Sequence, residues 1–417
     1  MIRTVSVRAL CETAVLFAVA AGAQAASAAA DHSQAVRLAV ERWIAVQKPS
    51  GFLPYGFDFL EDRELEADRM TTAHLARQVS TAAVLADYYS GSHDARAAQA
   101  VRSLLAAFRA HSLPIGKSRL QRAVEATRIL SVPAGRTRIR SALERLGLAF
   151  DGQGPGKVLS PTSDHGKAYS GAVALALLTE LRYSQASADT SFSDLRRAWL
   201  EGLMVLRIPG KGFRVLPTSI DPTPYADGQG WLALAHYHRL FPGDQRVREM
   251  LLDLDQTLID LYTSDTTIDF YHWGAMAAAV RYADTKDARF LEFIERQTSA
   301  FLDRRRGPDG DNHCALVEGV ADAVTALASG GRGGGETAGR ARQWIAREMD
   351  KAARLQVRPG QQEFAFAAAR VSAPRAREFA GSFLAGRFEL RTRVDFTSHC
   401  VSAMIKLQRQ EETLAKR

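Results

Sequence analysis

"GQGWLALAHYHRLFPGD" occupies residues 228–244. Alanine, leucine and aromatic residues fill it on every side, which describes a helix buried all round rather than one lying on a surface. A Pro-Gly turn closes it, and Asp244 opens a more charged amphipathic stretch. The same pattern returns in "TAHLARQVSTAAVLADYYSGSHD" (72–94), "SGAVALALLTELRYSQASAD" (170–189) and "HWGAMAAAVRYADTKD" (272–287). In each, the closing Asp is an expected N-cap for the helix that follows, because its carboxylate accepts the unpaired N–H groups of a first turn. "NHCALVEGVADAVTALASGG" (312–331) and "FTSHCVSAMIKLQ" (396–408) are further copies without that Asp. A period of roughly 40–55 residues is that of helical hairpins. An apolar helix paired with an amphipathic one implies an inner and an outer layer. The expected fold is therefore all-α, an α/α toroid of about six or seven hairpins, with an open solenoid as the alternative. Strand signals are weak throughout.

With "PYADGQGWLALAHYH" (224–238) and "VEGVADAVTAL" (317–327), these repeats resemble the (α/α) toroid enzymes. That class includes six-hairpin glycosidases, N-acylglucosamine 2-epimerases, the C-terminal domain of glucuronyl C5-epimerases, polysaccharide lyases and terpene cyclases. The resemblance covers most of the chain after the leader; it implies an architecture and selects no chemistry. The Asp-rich motif of terpene cyclases has no match in "DLDQT" (253–257).

The N-terminus has Arg3 and Arg8 ahead of the short apolar run "TAVLFAVAAG" (13–22), then Ala23-Gln24-Ala25 and Ala26-Ser27-Ala28. This is the layout of a secretory signal peptide and small-residue linker over 1–30, leaving a toroid domain over 31–417. No later run is apolar enough to cross a bilayer. A periplasmic or secreted location is expected. Hydrophobic residues at 46% and charged residues at 24% describe a globular chain, and the net charge of +8 favours anionic partners. In that compartment the expected partner is an acidic glycan or another anionic envelope component, not nucleic acid.

In a toroid the starts of the inner helices share one mouth, so polar and aromatic residues there are the candidates. "SGFLPYGFDF" (50–59) offers Tyr55 for sugar stacking and Asp58 for acid–base work. The loop "RIPGKGFRVLPTSIDPTPYADGQGW" (207–231) offers Arg214 as an anion fork, Tyr225 and Asp227 as catalytic groups and Trp231 as a stacking face; Asp227 is equally suited to capping the next helix. "DFYHWG" (269–274) adds Tyr271, His272 and Trp273, with a histidine that moves protons near neutral pH. His313 and His399 are further acid–base candidates, and Glu318, Arg391, Arg393 and Asp395 beside them suit an anionic sugar. "SPTSDHGKAYSG" (160–171) is a weaker polar loop. "GGRGGGETAG" (330–339) lacks the Lys-Ser/Thr of a phosphate cradle.

The cysteines leave three readings open. Cys11 lies in the leader, while Cys314 and Cys400 each follow a histidine, in "GDNHCALVEG" (310–319) and "DFTSHCVSAM" (395–404). Asp311, Cys314 and His399 or Cys400 could gather on zinc, but no local ligand spacing marks such a site. A Cys314–Cys400 disulfide suits an exported protein, yet "QQEFAFAAARV" (361–371) reads as an intervening repeat that would part the two helices. The expectation is two buried, unpaired cysteines, with the histidines turned to the mouth. No metal or cofactor is assigned. The function expected is processing of an acidic polysaccharide by a hydrolase, lyase or uronyl C5-epimerase. A non-catalytic glycan-binding or scaffold protein is the alternative.

Overall fold

Each apolar repeat forms a long helix, and each Asp-led stretch forms the helix that returns along it. A computed structural model of the chain describes residues 32–65, 70–126, 139, 142–143, 146, 148–264, 267–304, 310–366 and 369–415. The proposed signal segment lies outside the described residues. The helices are α1 (32–46), α2 (Thr72–Ser92), α3 (Ala95–Ala110), α4 (Arg119–Ala126), α5 (Ser170–Ser187), α6 (Ser193–Leu206), α7 (Pro224–Leu240), α8 (Gln245–Ser264), α9 (Ile268–Thr285), α10 (Ala288–Arg304), α11 (Cys314–Ser329), α12 (Glu336–Leu355) and α13 (Val394–Ala415).

Helices α2, α5, α7, α9, α11 and α13 pack side by side, and α13 returns to α2, so the ring closes with six hairpins. The inner helices are apolar on all sides; in α5, Ser170 through Leu181 are all buried. Outer helices bury one stripe, as in α1, where Val36, Ala39, Val40 and Trp43 recur at i, i+3, i+4 and i+7. The sixth hairpin joins the two ends of the chain. Gln408 of α13 donates to Ser33 of α1 at 2.9 Å, and Gln356 donates to the Ala35 carbonyl at 2.9 Å.

The short turns expected between layers have a definite form. His93 and Lys286 sit in the left-handed region at φ 52° and 57°, and Asp94 and Asp287 follow them directly. Asp94 accepts from Arg96 N at 2.8 Å, Asp287 from Arg289 N at 2.9 Å and Asp244 from Arg246 N at 3.1 Å, which is the predicted capping; Asp189 departs from it, accepting from Ser191 N in the turn ahead of α6, whose N-cap is Phe192.

Strands are more plentiful than the sequence suggests. They are β1 (Gly56–Asp58), β2 (Arg63–Leu65), β3 (Ser112–Lys117), β4 (Phe150–Leu159), β5 (Arg207–Ile208), β6 (Gly212–Phe213), β7 (Glu363–Phe366), β8 (Ala369–Ser372), β9 (Leu384–Gly386) and β10 (Glu389–Arg393). Four make an antiparallel sheet in the order β2-β1-β10-β9, and Gly56 opposite Arg393 fixes its register. Phe57, Phe59, Phe364, Phe379, Leu384 and Leu390 form a second apolar core there. The stretch 361–371 is thus not a helical repeat: its described residues from Glu363 onward belong to β7 and β8, which pair antiparallel. With no helix inserted between them, α11 and α13 are direct neighbours in the ring.

Candidate active site

The side chains that matter sit one turn into the inner helices. His272 and Glu318 are both the fifth residue of their helices, and His399 is the sixth of α13. Glycine lets the backbones approach at this level. A Cβ at Gly319 would lie 2.9 Å from the His272 carbonyl oxygen, and one at Gly228 would lie 2.5 Å from Trp273 Cβ. Close approach brings side chains from three helices to one point.

There Glu318 lies between two histidines. His272 Nε2 is 2.7 Å from Glu318 Oε2, and His399 Nδ1 is 3.1 Å from Oε1. Burial works against the charge of Glu318, but His399 and His272 outweigh it and hold its carboxyl down at about 2. Burial also opposes the imidazolium of His399, yet Glu318 and then Asp395 raise its pKa above the ordinary value. Burial lowers His272, with Glu318 pulling the other way. The arrangement is an ionised Glu318 between a His399 whose protonation it favours and a His272 whose protonation burial opposes. The histidine nitrogens and the carboxylate lie within 4.8 Å of one another, a donor set of the type that takes a divalent transition metal. Here each carboxylate oxygen accepts from one imidazole, so the trio is complete as a proton-sharing group.

A second cluster adjoins it. Arg393 grips Asp395 with both ends of its fork, Nε at 2.6 Å and Nη2 at 2.8 Å, and Arg77 Nε reaches the same carboxylate at 3.2 Å. Burial opposes the Asp395 charge, but the two arginines win and lower its pKa. Arg77 also donates to the Tyr55 hydroxyl, and the Tyr55 ring lies 4.4 Å from that of His74. Arg77 and Arg393 set two cations beside the two carboxylates Glu318 and Asp395, and His399 adds a third charge only when it takes up a proton. Trp273 flanks the pair, 4.3 Å from the His272 ring and 6.5 Å from that of His399.

Of the residues predicted from sequence, His272, Trp273, Glu318, Arg393, Asp395, His399 and Tyr55 come together. Others have different work. Asp227 is fully buried, accepting from Phe213 N at 2.7 Å and the Tyr262 hydroxyl at 2.7 Å. Burial pushes its carboxyl up to about 7 against those two donors. It does not cap α7 either, since Thr223 does so. Trp231 is core, donating to Asp255 at 2.8 Å. Tyr271 is also core, stacked on Phe301 and 3.1 Å from the Thr298 hydroxyl. Arg214 is buried and holds its own loop by donating to the Ser219 carbonyl at 2.6 Å. His313 turns to the outer layer, 2.8 Å from Glu348 of α12. Asp58 caps a turn at Leu60 N, and Arg391, opposite it in the sheet, pairs with Glu389. Tyr225 stands half-exposed in the first turn of α7.

The expectation for the cysteines is overturned. Cys314 and Cys400 form a disulfide, with their Cα atoms 4.7 Å apart. It ties α11 to α13 one residue from His399 and one helical turn before Glu318. Sequence reasoning also missed Arg77 and His74, whose signal was their place in the first turns of the first apolar repeat.

No family model matches the chain, and no curated protein matches it in sequence. Solved structures do match in shape. A GH76 α-mannanase of Bacteroides thetaiotaomicron aligns with a TM-score of 0.59 at 8% identity, over 92% of this chain and 97% of that one. An unsaturated glucuronyl hydrolase specific for heparin aligns at 0.54 and 10% identity, over 92% and 98%. An inactive variant of the α-1,6-mannanase of Salegentibacter sp. HEL1_6, with two aspartates replaced and α-1,6-mannotetrose bound, aligns at 0.55 and 8% identity, over 90% and 98%. The fold is that of the (α/α) toroid glycosidases.

Proposed function

We propose that this chain is a polysaccharide-processing enzyme acting on an acidic glycan at the mouth of the ring, with His399 as the base that removes a proton beside a uronate carboxylate. The observation that carries this is the Glu318–His399 contact at 3.1 Å, set beside the Arg393–Asp395 pair. A carboxylate on Nδ1–H holds an imidazole in the tautomer whose Nε2 lone pair is basic, the arrangement of the Ser-His-Asp triad. Arg77, Arg393 and the N-terminal ends of six inner helices favour a bound carboxylate and the enediolate that develops when its neighbouring C–H is removed. From that intermediate, expulsion of the neighbouring glycosidic oxygen, which leaves as a hydroxyl by taking up the proton His399 removed, gives a lyase, and delivery of a solvent proton to the opposite face of the carbon gives an epimerase.

Hydrolysis by two carboxylates has weaker support. Glu318 and Asp395 are held ionised by their partners, and Asp227 is buried between two donors. The mannanase variant is inactive with two consecutive aspartates replaced, whereas no two aspartates are consecutive in this chain. A disulfide belongs in an oxidising compartment; with the leader-like N-terminus it supports export. No described helix is long and apolar enough to cross a membrane.

The test is a panel of polyuronates and neutral mannans. It is read by ultraviolet absorbance of an unsaturated uronate, by reducing ends and by deuterium uptake at C5 from heavy water. His399→Gln is expected to lose roughly 10²–10⁴-fold in turnover. Cleavage of mannan alone, or full turnover by His399→Gln, would refute the proposal; inertness on the whole panel would move the protein to the glycan-binding class.

A further inference from the structure

Beside the mouth, α12, strand β7 and the turn between β9 and β10 line a groove of about 1060 Å³. That is ample for several sugar rings, since small-molecule sites span about 300–1,000 Å³. One wall is cationic. Arg347, Lys351 and Arg354 recur at i, i+4 and i+7, which places them on one face of α12 over roughly 10 Å. Arg358 continues the line past the end of the helix, and Arg387 faces it from the β9–β10 turn.

The pairing of these charges is uneven. Lys351 is bound to Glu348 at 2.7 Å, and Glu348 also takes His313. Glu363 pairs with Arg370 at 3.3 Å. Arg347, Arg354, Arg358 and Arg387 are exposed, and none is in an ion pair with a described carboxylate. Five cations against the three acids Glu348, Asp350 and Glu363 leave the groove positive. Its floor is apolar, with Phe364, Leu384 and Leu390 buried beneath. Guanidinium forks around an apolar floor suit a chain of carboxylated sugars, which offers an anion and an apolar ring face at each unit.

We propose that this groove is a second docking site for the acidic polysaccharide, distinct from the reacting centre, that holds the polymer next to the mouth. Naming the polymer rests on the function proposed above. A polymer held at the groove presents its next segment to the mouth at high effective concentration. Short oligomers that reach only the mouth gain nothing from it.

The test replaces Arg347, Arg354 and Arg358 together with Ser in the full chain, with thermal melting to confirm that these exposed substitutions leave the fold intact. Binding of fluorescently labelled polygalacturonate is followed by anisotropy in the His399→Gln background, at several salt concentrations. Each exposed ion pair is weak, so the expected effect of losing three is an affinity lower by roughly tenfold and a shallower salt dependence. With His399 intact, KM for the polymer rises while turnover of short oligouronates is unchanged. Unaltered polymer affinity in the triple variant would overturn the docking site while leaving the mouth reading in place. An equal loss for neutral mannan or for single-stranded DNA would overturn the assignment to an acidic glycan. Binding that falls as expected in a protein without turnover would keep the docking site and reject the enzyme.

Discussion

Replacing Glu318 with Gln keeps the shape of the buried trio and removes its charge. In the native chain both imidazoles donate to Glu318. A Gln amide has one oxygen to accept and an NH2 that donates, so one histidine must turn its lone pair inward and stay neutral. His399 then loses the main source of its raised pKa. The stability change follows from the carboxylate. Its pKa falls from the ordinary 4.5 to about 2 on folding, which corresponds to about 3 kcal/mol. A depressed carboxyl pKa contributes stability that is complete above the unfolded value and is lost as pH falls from about 4.5 toward 2. Urea unfolding from pH 2 to 7 should therefore show wild type less stable with acid by about 3 kcal/mol more than the Gln variant does. If His399 is the base, the acid limb of the rate profile lies above the ordinary histidine value in wild type and moves to lower pH in the variant. Parallel stability curves for the two proteins between pH 2 and 5 would refute this account of Glu318.

Other perturbations separate framework from chemistry. Asp227→Asn should keep turnover within a few-fold, because the amide oxygen still accepts from Phe213 N. A raised carboxyl favours folding below the unfolded pKa and loses that advantage as pH rises to about 7, so the Asn variant should lose less stability than wild type across that range. Reducing the disulfide, or Cys400→Ser, opens a loop of 86 residues and should cost about 4 kcal/mol in urea unfolding; turnover should fall further than stability alone explains, because the bridge holds α11 and α13 beside the trio. Arg393→Met should raise KM for a polyuronate more than it lowers turnover, and an unchanged KM would deny it a part in binding. A chelator should leave activity unchanged; loss that added zinc restores would transfer the role of the trio from proton sharing to metal binding.

The ring was legible in the sequence because its inner helices repeat. A helix apolar on every side, a turn and a capping Asp state where the chain reverses, and His93–Asp94 and Lys286–Asp287 bear this out in detail. The sheet was not legible. β1, β2 and β9 are three residues each, too short for alternation to register, and the apolar β7–β8 stretch mimics a helical repeat. That misreading also hid the disulfide, by putting an imaginary helix between α11 and α13. Among candidate residues, position one turn into an inner helix singled out His272, Glu318 and His399, which the structure brings into contact. The same reasoning failed for Trp231 and Tyr271, because residues on opposite sides of a buried helix differ in direction and not in composition.

The pairing of α13 with α1 gives the ring no first or last repeat. An open array can fray from a terminal unit, but here losing either end breaches the ring and unseats α13, which carries His399. Folding should therefore be all-or-none, and a nascent chain should lack activity until its final helix has joined α1. The break between N- and C-terminus is also an accident of numbering: a circularly permuted chain that begins in the Gly331–Gly334 turn and links α13 to α1 should rebuild the same mouth.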